Sequence, residues 1–328
     1  MTVRAFFEAA KVEGVQSPYD TIHLKILYPA QITGSQIEKS TGIEPANPEN
    51  APFPVVILFN GFNCDAQQYQ WLAVKLAERG LVVVLFNWIA KNLPGVISLT
   101  PGIDLEKMKP TIYRTAPTAS ALPALLAKLE QLQNQGILAG MLDLQRIILG
   151  GHSAGGRLSM ENADPRFFPE VAASFSYGAS TRGVLMMGYE PGTILPLPDS
   201  LPLLLMGGTR DGFMVNNSTE LYGLSRGDAS TPVIRTFQEA IAGGRNDTYL
   251  VILEGANHFS IVDESDSTIV RPSLDLEATQ PQENLRLLMG EIISLFIDTH
   301  VRHQPEASQL LEQLLNTANP LIKSFERK

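Results

Sequence analysis

From Pro54 onward the chain repeats one pattern: a short run of consecutive apolar residues, a polar or glycine-rich turn, then a segment with helical spacing. The runs are VVILFN, LVVVLFN, RIILGG, VAASFSY, LPLLLMGG and TYLVILEG. A strand wetted on one face alternates polar and apolar residues, whereas one that is apolar throughout needs cover on both faces. Between several runs lie helical periods. AQQYQWLAVKLAERG stops at Gly80 and TAPTASALPALLAKLEQLQNQG at Gly136, each with the glycine that commonly ends a helix. Strand and helix in alternation predict an α/β chain whose mostly parallel sheet carries helices on both faces. Ligands in such sheets bind beyond the carboxyl ends of the strands, so the turns after each run are where chemistry belongs.

Ahead of these runs, TIHLKILYP alternates Ile22, Leu24 and Ile26 with more polar neighbours and predicts a half-exposed strand. Residues 30–54, rich in Gly, Ser, Asn and Pro, read as a long surface loop. Near the other end, Leu285, Leu288, Ile292, Leu295 and Phe296 fall near helical spacing and predict a helix packed on the sheet. The stretch after Pro305 reads as a further helix, either a docked tail or a partner-binding element. Too little precedes the long loop to form a separate domain. Residues 1–328 therefore read as a single domain with a helical tail from about 305.

Composition narrows the function classes. Hydrophobic residues at 44% and charged residues at 18% fit a folded protein with a real core. A net charge of −9, with no cluster of Lys and Arg, disfavours nucleic acid and anionic lipid as partners. The single cysteine, Cys64, excludes an intrachain disulfide framework. No apolar run approaches a membrane span, and the first fifteen residues carry charges at Arg4, Glu8, Lys11 and Glu13 instead of a signal-peptide core. A cytoplasmic protein without a membrane span is the expectation.

Within RIILGGHSAGGRL, residues 151–155 fit G-x-S-x-G, with a strand before and a helix start after. Chemistry needs this pattern because a sharp strand-to-helix turn pushes the Ser153 hydroxyl into the open, and small neighbours on each side let the backbone turn so tightly. The amide of Ala154, at the helix N-terminus, is then placed to stabilise an oxyanion. Gly151 to Gly156 also has the spacing of a phosphate loop, but Arg157 and Leu158 stand where that motif requires Lys and Ser or Thr.

A serine of ordinary acidity needs a base, and the base an orienting acid. Of the five histidines, His23 lies inside the early strand, His152 beside the serine, and His300 and His303 at the end of the long terminal helix. His258 remains, just past the TYLVILEG run. Asp211 follows the LPLLLMGG run, where a carboxylate can accept the imidazole Nδ1 proton. Ser153, Asp211 and His258 occur in the chain order Ser, Asp, His. A second oxyanion donor is expected from NGFNC after the first run, with Gly61 allowing close approach and Phe62 supplying its amide. Cys64, close by, has no elbow of its own and reads as a spectator.

At these residues the chain resembles the α/β-hydrolase superfamily over roughly residues 20–300. VVILFNGFNCDAQQYQWLAVKLAERGLVVVLFNW together with GGHSAGG is similar to the branch of chlorophyllases, dienelactone-hydrolase-like proteins, platelet-activating-factor acetylhydrolases and cutinase-like enzymes. The resemblance implies an α/β-hydrolase fold and hydrolysis of carboxylic esters through an acyl-serine intermediate, without metal or organic cofactor. The chain differs at Asn60, where relatives often carry His, and at Ala154, where plant chlorophyllases carry a basic residue. Acyl transfer or amide cleavage by the same groups, and a non-catalytic binding role on the same fold, are the alternatives.

The intervals between Ser153, Asp211 and His258 are mostly used by core elements, so no large cap domain is expected. Access should be shaped by two long loops, residues 87–115 and 263–284. Phe62, Trp88, Met186, Met187, Phe213, Met214 and Phe259 lie near predicted strand ends and would suit a small hydrophobic ester as substrate.

Overall fold

The computed structural model describes residues 1–93, 96–216, 218–263 and 274–328. Its strands are β1 (Thr2–Lys11), β2 (Thr21–Ala30), β3 (Phe53–Phe59), β4 (Val82–Leu93), β5 (Val96–Leu99), β6 (Leu142–His152), β7 (Val171–Tyr177), β8 (Leu203–Gly208), β9 (Thr248–Leu253) and β10 (Ile322–Arg327). They form a mixed ten-stranded sheet in the order β1-β2-β4-β3-β6-β7-β8-β9-β10, with β5 pairing β4. The central strands from β4 to β9 run parallel, while β1, β2, β5 and β10 pair antiparallel. This is a mixed α/β fold, as the apolar runs predict.

Cover on both faces follows from the period of two along each strand. Val55, Ile57 and Phe59 of β3 and Leu203 and Leu205 of β8 enter one core. Val56 and Leu58 of β3 and Leu204 and Met206 of β8 enter the other. The first core is closed by α3 (Leu122–Asn134), α4 (Ala154–Glu161) and α7 (Thr231–Ala240), through Leu125, Leu129, Leu158 and Phe237. The second is closed by α2 (Gln70–Glu78), α8 (Gln282–His300) and α9 (Pro305–Asn316). All five apolar residues that nominate α8 are buried. Each such side chain contributes about 1.5–3 kcal/mol relative to exposure.

The remaining helices are short: α1 (Gln36–Thr41), α5 (Gly212–Asn216) and α6 (Ser218–Tyr222). Four segments differ from the sequence reading. Residues Thr2–Lys11 form edge strand β1 on β2, which their own pattern does not announce. Within the expected surface loop of residues 30–54, α1 is nucleated by Ser35, whose side chain accepts from the Glu38 amide. Residues 87–115 are not all loop, because β4 runs on to Leu93 and returns as β5. In the tail, α9 docks on α8, but residues 322–327 pair with β9 as a strand and are not helical. No described helix is long and apolar enough to cross a membrane.

Candidate active site

Ser153 stands between the end of β6 and the start of α4 with φ 55° and ψ −122°, a conformation unfavourable for any side chain. Two hydrogen bonds hold it there. Its amide donates to the Tyr177 carbonyl of β7 at 2.9 Å, and its carbonyl accepts from the Arg157 amide at 3.0 Å. The turn is packed as tightly as G-x-S-x-G requires: a Cβ on Gly155 would lie 2.2 Å from the Phe59 carbonyl oxygen and 2.4 Å from that of Asn60. Any other residue at 155 would push β3 and α4 apart.

The three side chains nominated from strand ends come together. His258 Nε2 lies 2.9 Å from Ser153 Oγ, and His258 Nδ1 lies 2.9 Å from Asp211 Oδ2. Asp211 and His258 are each 1% exposed, so this contact is shielded from water. Asp211 Oδ1 accepts from the Met214 amide at 3.0 Å, which fixes the carboxylate plane. Phe213 stacks on the imidazole at 4.8 Å and Phe259 meets it edge-on at 5.2 Å. Buried Arg182 donates to the Met214 carbonyl at 2.9 Å and to Ser218 Oγ at 3.0 Å, bracing the helix that follows Asp211.

Beneath the serine runs a buried relay that sequence reasoning missed. The Gly61 amide donates to Tyr69 Oη at 3.1 Å, and Tyr69 Oη lies 2.8 Å from His152 Nδ1. His152 Nε2 in turn lies 2.9 Å from the His258 carbonyl oxygen. Since a carbonyl can only accept, Nε2 carries the proton and Nδ1 accepts from the phenol. Burial, reinforced by Cys64, raises the Tyr69 phenol well above its ordinary value, which keeps it a donor. The relay ties together the loop after β3, the serine turn and the loop carrying His258.

Phe62 sits on that first loop, between Gly61 and Asn63. The loop is pressed onto the serine turn, because a Cβ on Gly61 would lie 2.9 Å from His152 Nδ1. Its shape is set by a turn closed from the Cys64 amide to the Gly61 carbonyl and by Asn63, whose amide donates to the Leu99 carbonyl of β5. Ala154, as the first residue of α4, has an amide without an acceptor inside the helix. Cys64 is buried behind the loop at 5% exposure, and its carbonyl accepts from Asn60 Nδ2. Arg157 faces inward, paired with Glu161 at 2.7 Å and donating to the Arg182 carbonyl at 2.8 Å. Its cation is spent in the core, away from any ligand a phosphate loop would hold.

A cleft opens along β4, which lies one strand beyond β3 from β6. Trp88, Met186 and Met187 line this cleft of about 680 Å³ together with Tyr19, Ile103 and Leu105. Among the other candidate lining residues, Met214 is buried within α5 and Phe213 stacks on His258. Of the second expected access loop, residues 264–273 lie outside the described residues.

Asp275, also missed, completes the site. Its Oδ1 accepts from the amides of Gly212 at 2.8 Å, Phe213 at 3.2 Å and Leu276 at 2.9 Å, and its Oδ2 from Phe259 at 3.3 Å. Only DLE within a long polar loop announces it in the sequence, a pattern with no signal for such a role. Among the described residues, no three His, Cys, Asp or Glu side chains are grouped to hold a metal ion. Compared with known protein families and with curated proteins, the chain gives no match in either.

Proposed function

We propose that the protein is a serine hydrolase of the α/β-hydrolase type that cleaves carboxylic esters of hydrophobic substrates. The observation that carries this reading is the unbroken contact from Asp211 through His258 to Ser153, each link 2.9 Å long. Structural ion pairs do not need a serine in strained backbone at their end. His258 Nε2 takes the hydroxyl proton as Ser153 Oγ bonds to the ester carbonyl carbon. The carbonyl oxygen becomes an oxyanion facing the amides of Ala154 and Phe62. On collapse the C–O bond to the alcohol breaks, and Nε2–H protonates the leaving oxygen, producing an acyl-serine. Water, deprotonated by the same imidazole, then releases the acid and restores Ser153. Asp211 holds the tautomer with its proton on Nδ1 and stabilises the transient imidazolium. The cleft along Trp88 supports an apolar acyl or alcohol group through Tyr19, Trp88, Ile103, Leu105, Met186 and Met187, within a rim that also carries Lys91, Asp104, Glu106 and Lys109.

A fluorophosphonate probe is expected to label the folded protein at Ser153, and p-nitrophenyl esters of increasing chain length to be hydrolysed. Ser153→Ala should abolish both while leaving thermal unfolding nearly unchanged. Wild-type ester turnover by that variant would overturn the reading. Absence of labelling on folded native protein would favour a binding module.

A further inference from the structure

The contacts of Asp275 span two separate loops. Three of its four amide donors sit on the turn after β8 and on its own neighbour, and the fourth belongs to Phe259, the residue directly after the base. The fit is close: a Cβ on Gly212 would lie 2.6 Å from the Leu276 amide nitrogen. The segment is also held from the other side, with Asn257 Nδ2 donating to the Leu276 carbonyl at 2.7 Å and Arg210 Nε to the Glu277 carbonyl at 3.2 Å. The neighbours of His258 on both of its loops therefore depend on this one strap.

We infer that Asp275 is a positioning residue: its carboxylate ties the turn bearing Asp211 to the turn bearing His258, and its charge favours the imidazolium that His258 becomes on taking the Ser153 proton. This rests on the proposed role of His258 as base. Asp275 is not in contact with the imidazole, so it acts through position and field, whereas Asp211 acts through a hydrogen bond. Among the described residues, the titratable groups that interact with its charge are Asp211, His258 and Tyr177. Burial and the Asp211 carboxylate raise the Asp275 carboxyl above the usual range, while His258 and the backbone amides pull it down. Two acids thus act on one base, and their mutual repulsion is relieved when His258 carries its proton.

Two variants are compared. Asp275→Asn keeps an oxygen for the Gly212, Phe213 and Leu276 amides but removes the charge and sets an NH2 donor opposite the Phe259 amide, losing that one bond to the His258 turn; Asp275→Ala removes every acceptor. In native protein and both variants, nitrogen-detected NMR follows the titration of the His258 imidazole, assigned by its loss in His258→Asn, and ester kinetics follow kcat and KM across pH. Loss of a nearby opposite charge is expected to shift the imidazole equilibrium about tenfold. In Asp275→Asn, His258 should therefore titrate at lower pH, and the acid limb of kcat/KM should move down with it. Plateau kcat should fall about tenfold with KM within about twofold, the signature of lost transition-state stabilisation. Both variants should lose amide protection at Phe259, and Asp275→Ala should also lose it at Gly212 and lose more kcat. Unchanged His258 titration in Asp275→Asn overturns the inference whatever the activity does. A native protein inert towards esters and fluorophosphonate removes the proposed function instead, because the NMR titration still reports whether Asp275 acts on His258.

Discussion

Tyr69 Oη lies 2.8 Å from Nδ1 of His152, the residue immediately before Ser153, and the same oxygen accepts the Gly61 amide. One buried hydroxyl thus sets the spacing between the loop carrying Phe62 and the turn carrying Ser153. Both bonds are shielded from water, so losing the hydroxyl leaves a donor and an acceptor stranded.

Tyr69→Phe is therefore expected to cost about 1–3 kcal/mol in urea unfolding. Ester turnover should fall about 10- to 100-fold, less than the roughly 100- to 1,000-fold expected on deleting an oxyanion donor outright. Full activity in this variant would show that the relay does not position the loop.

Gly155→Ala tests the packing of the serine turn. The added methyl would sit 2.2 Å from a β3 carbonyl oxygen, and backbone cannot yield as a flexible side chain does. Overpacking commonly costs about 1–3 kcal/mol, and this contact belongs at or above the top of that range. Differential scanning calorimetry should show a large drop in Tm or no folded protein. At Gly140, where a Cβ would meet nothing within 4 Å, the alanine variant bears only the strain of its φ of +72° and should lose less.

The Arg157–Glu161 pair, 9% and 2% exposed at the side chains, is a third test. Burial works against the Arg157 cation, but Glu161 together with Tyr113 and Tyr222 more than offsets this and raises its pKa above the ordinary value. Arg157→Met strands the carboxylate with only Tyr113 and Thr118 as partners and should cost about 3–5 kcal/mol in chemical denaturation. Replacing both residues with apolar ones of similar volume should cost much less. If the single and double variants unfold alike, the pair contributes nothing through its charge.

His300 makes stability depend on pH. Burial between Tyr249 and Phe296 lowers it from 6.5 to about 4, an effect only partly opposed by Asp247. A histidine with depressed folded pKa binds its proton more readily when unfolded. Its contribution is thus present above pH 6.5 and lost as pH falls from there towards about 4. One proton sets a ceiling of about 1.4 kcal/mol per pH unit on the slope, and residual hydration of the ring keeps the total below what the full shift implies. His300→Phe should flatten the stability profile across that window. A profile unchanged by the substitution would assign the acid sensitivity to other groups.

What the amino-acid order decides here is whatever depends on neighbours along the chain. A period of two or of 3.6 is a local property, so the central strands, α2, α8 and the strand-to-helix turn at Ser153 are legible without coordinates. The parallel sheet then brings strand ends to one rim, which is why Asp211 and His258 can be nominated from position alone. Edge strands β1 and β10 are a different case: half-exposed and charged, they are strands because β2 and β9 offer them open backbone, and β10 reaches β9 only across α8 and α9. The same reason hides Tyr69 and Asp275. A phenol in a helical stretch and an aspartate in a polar loop have no pattern of their own; only folding sets them against backbone amides and ring nitrogens distant in sequence, where the absence of water makes each hydrogen bond decisive.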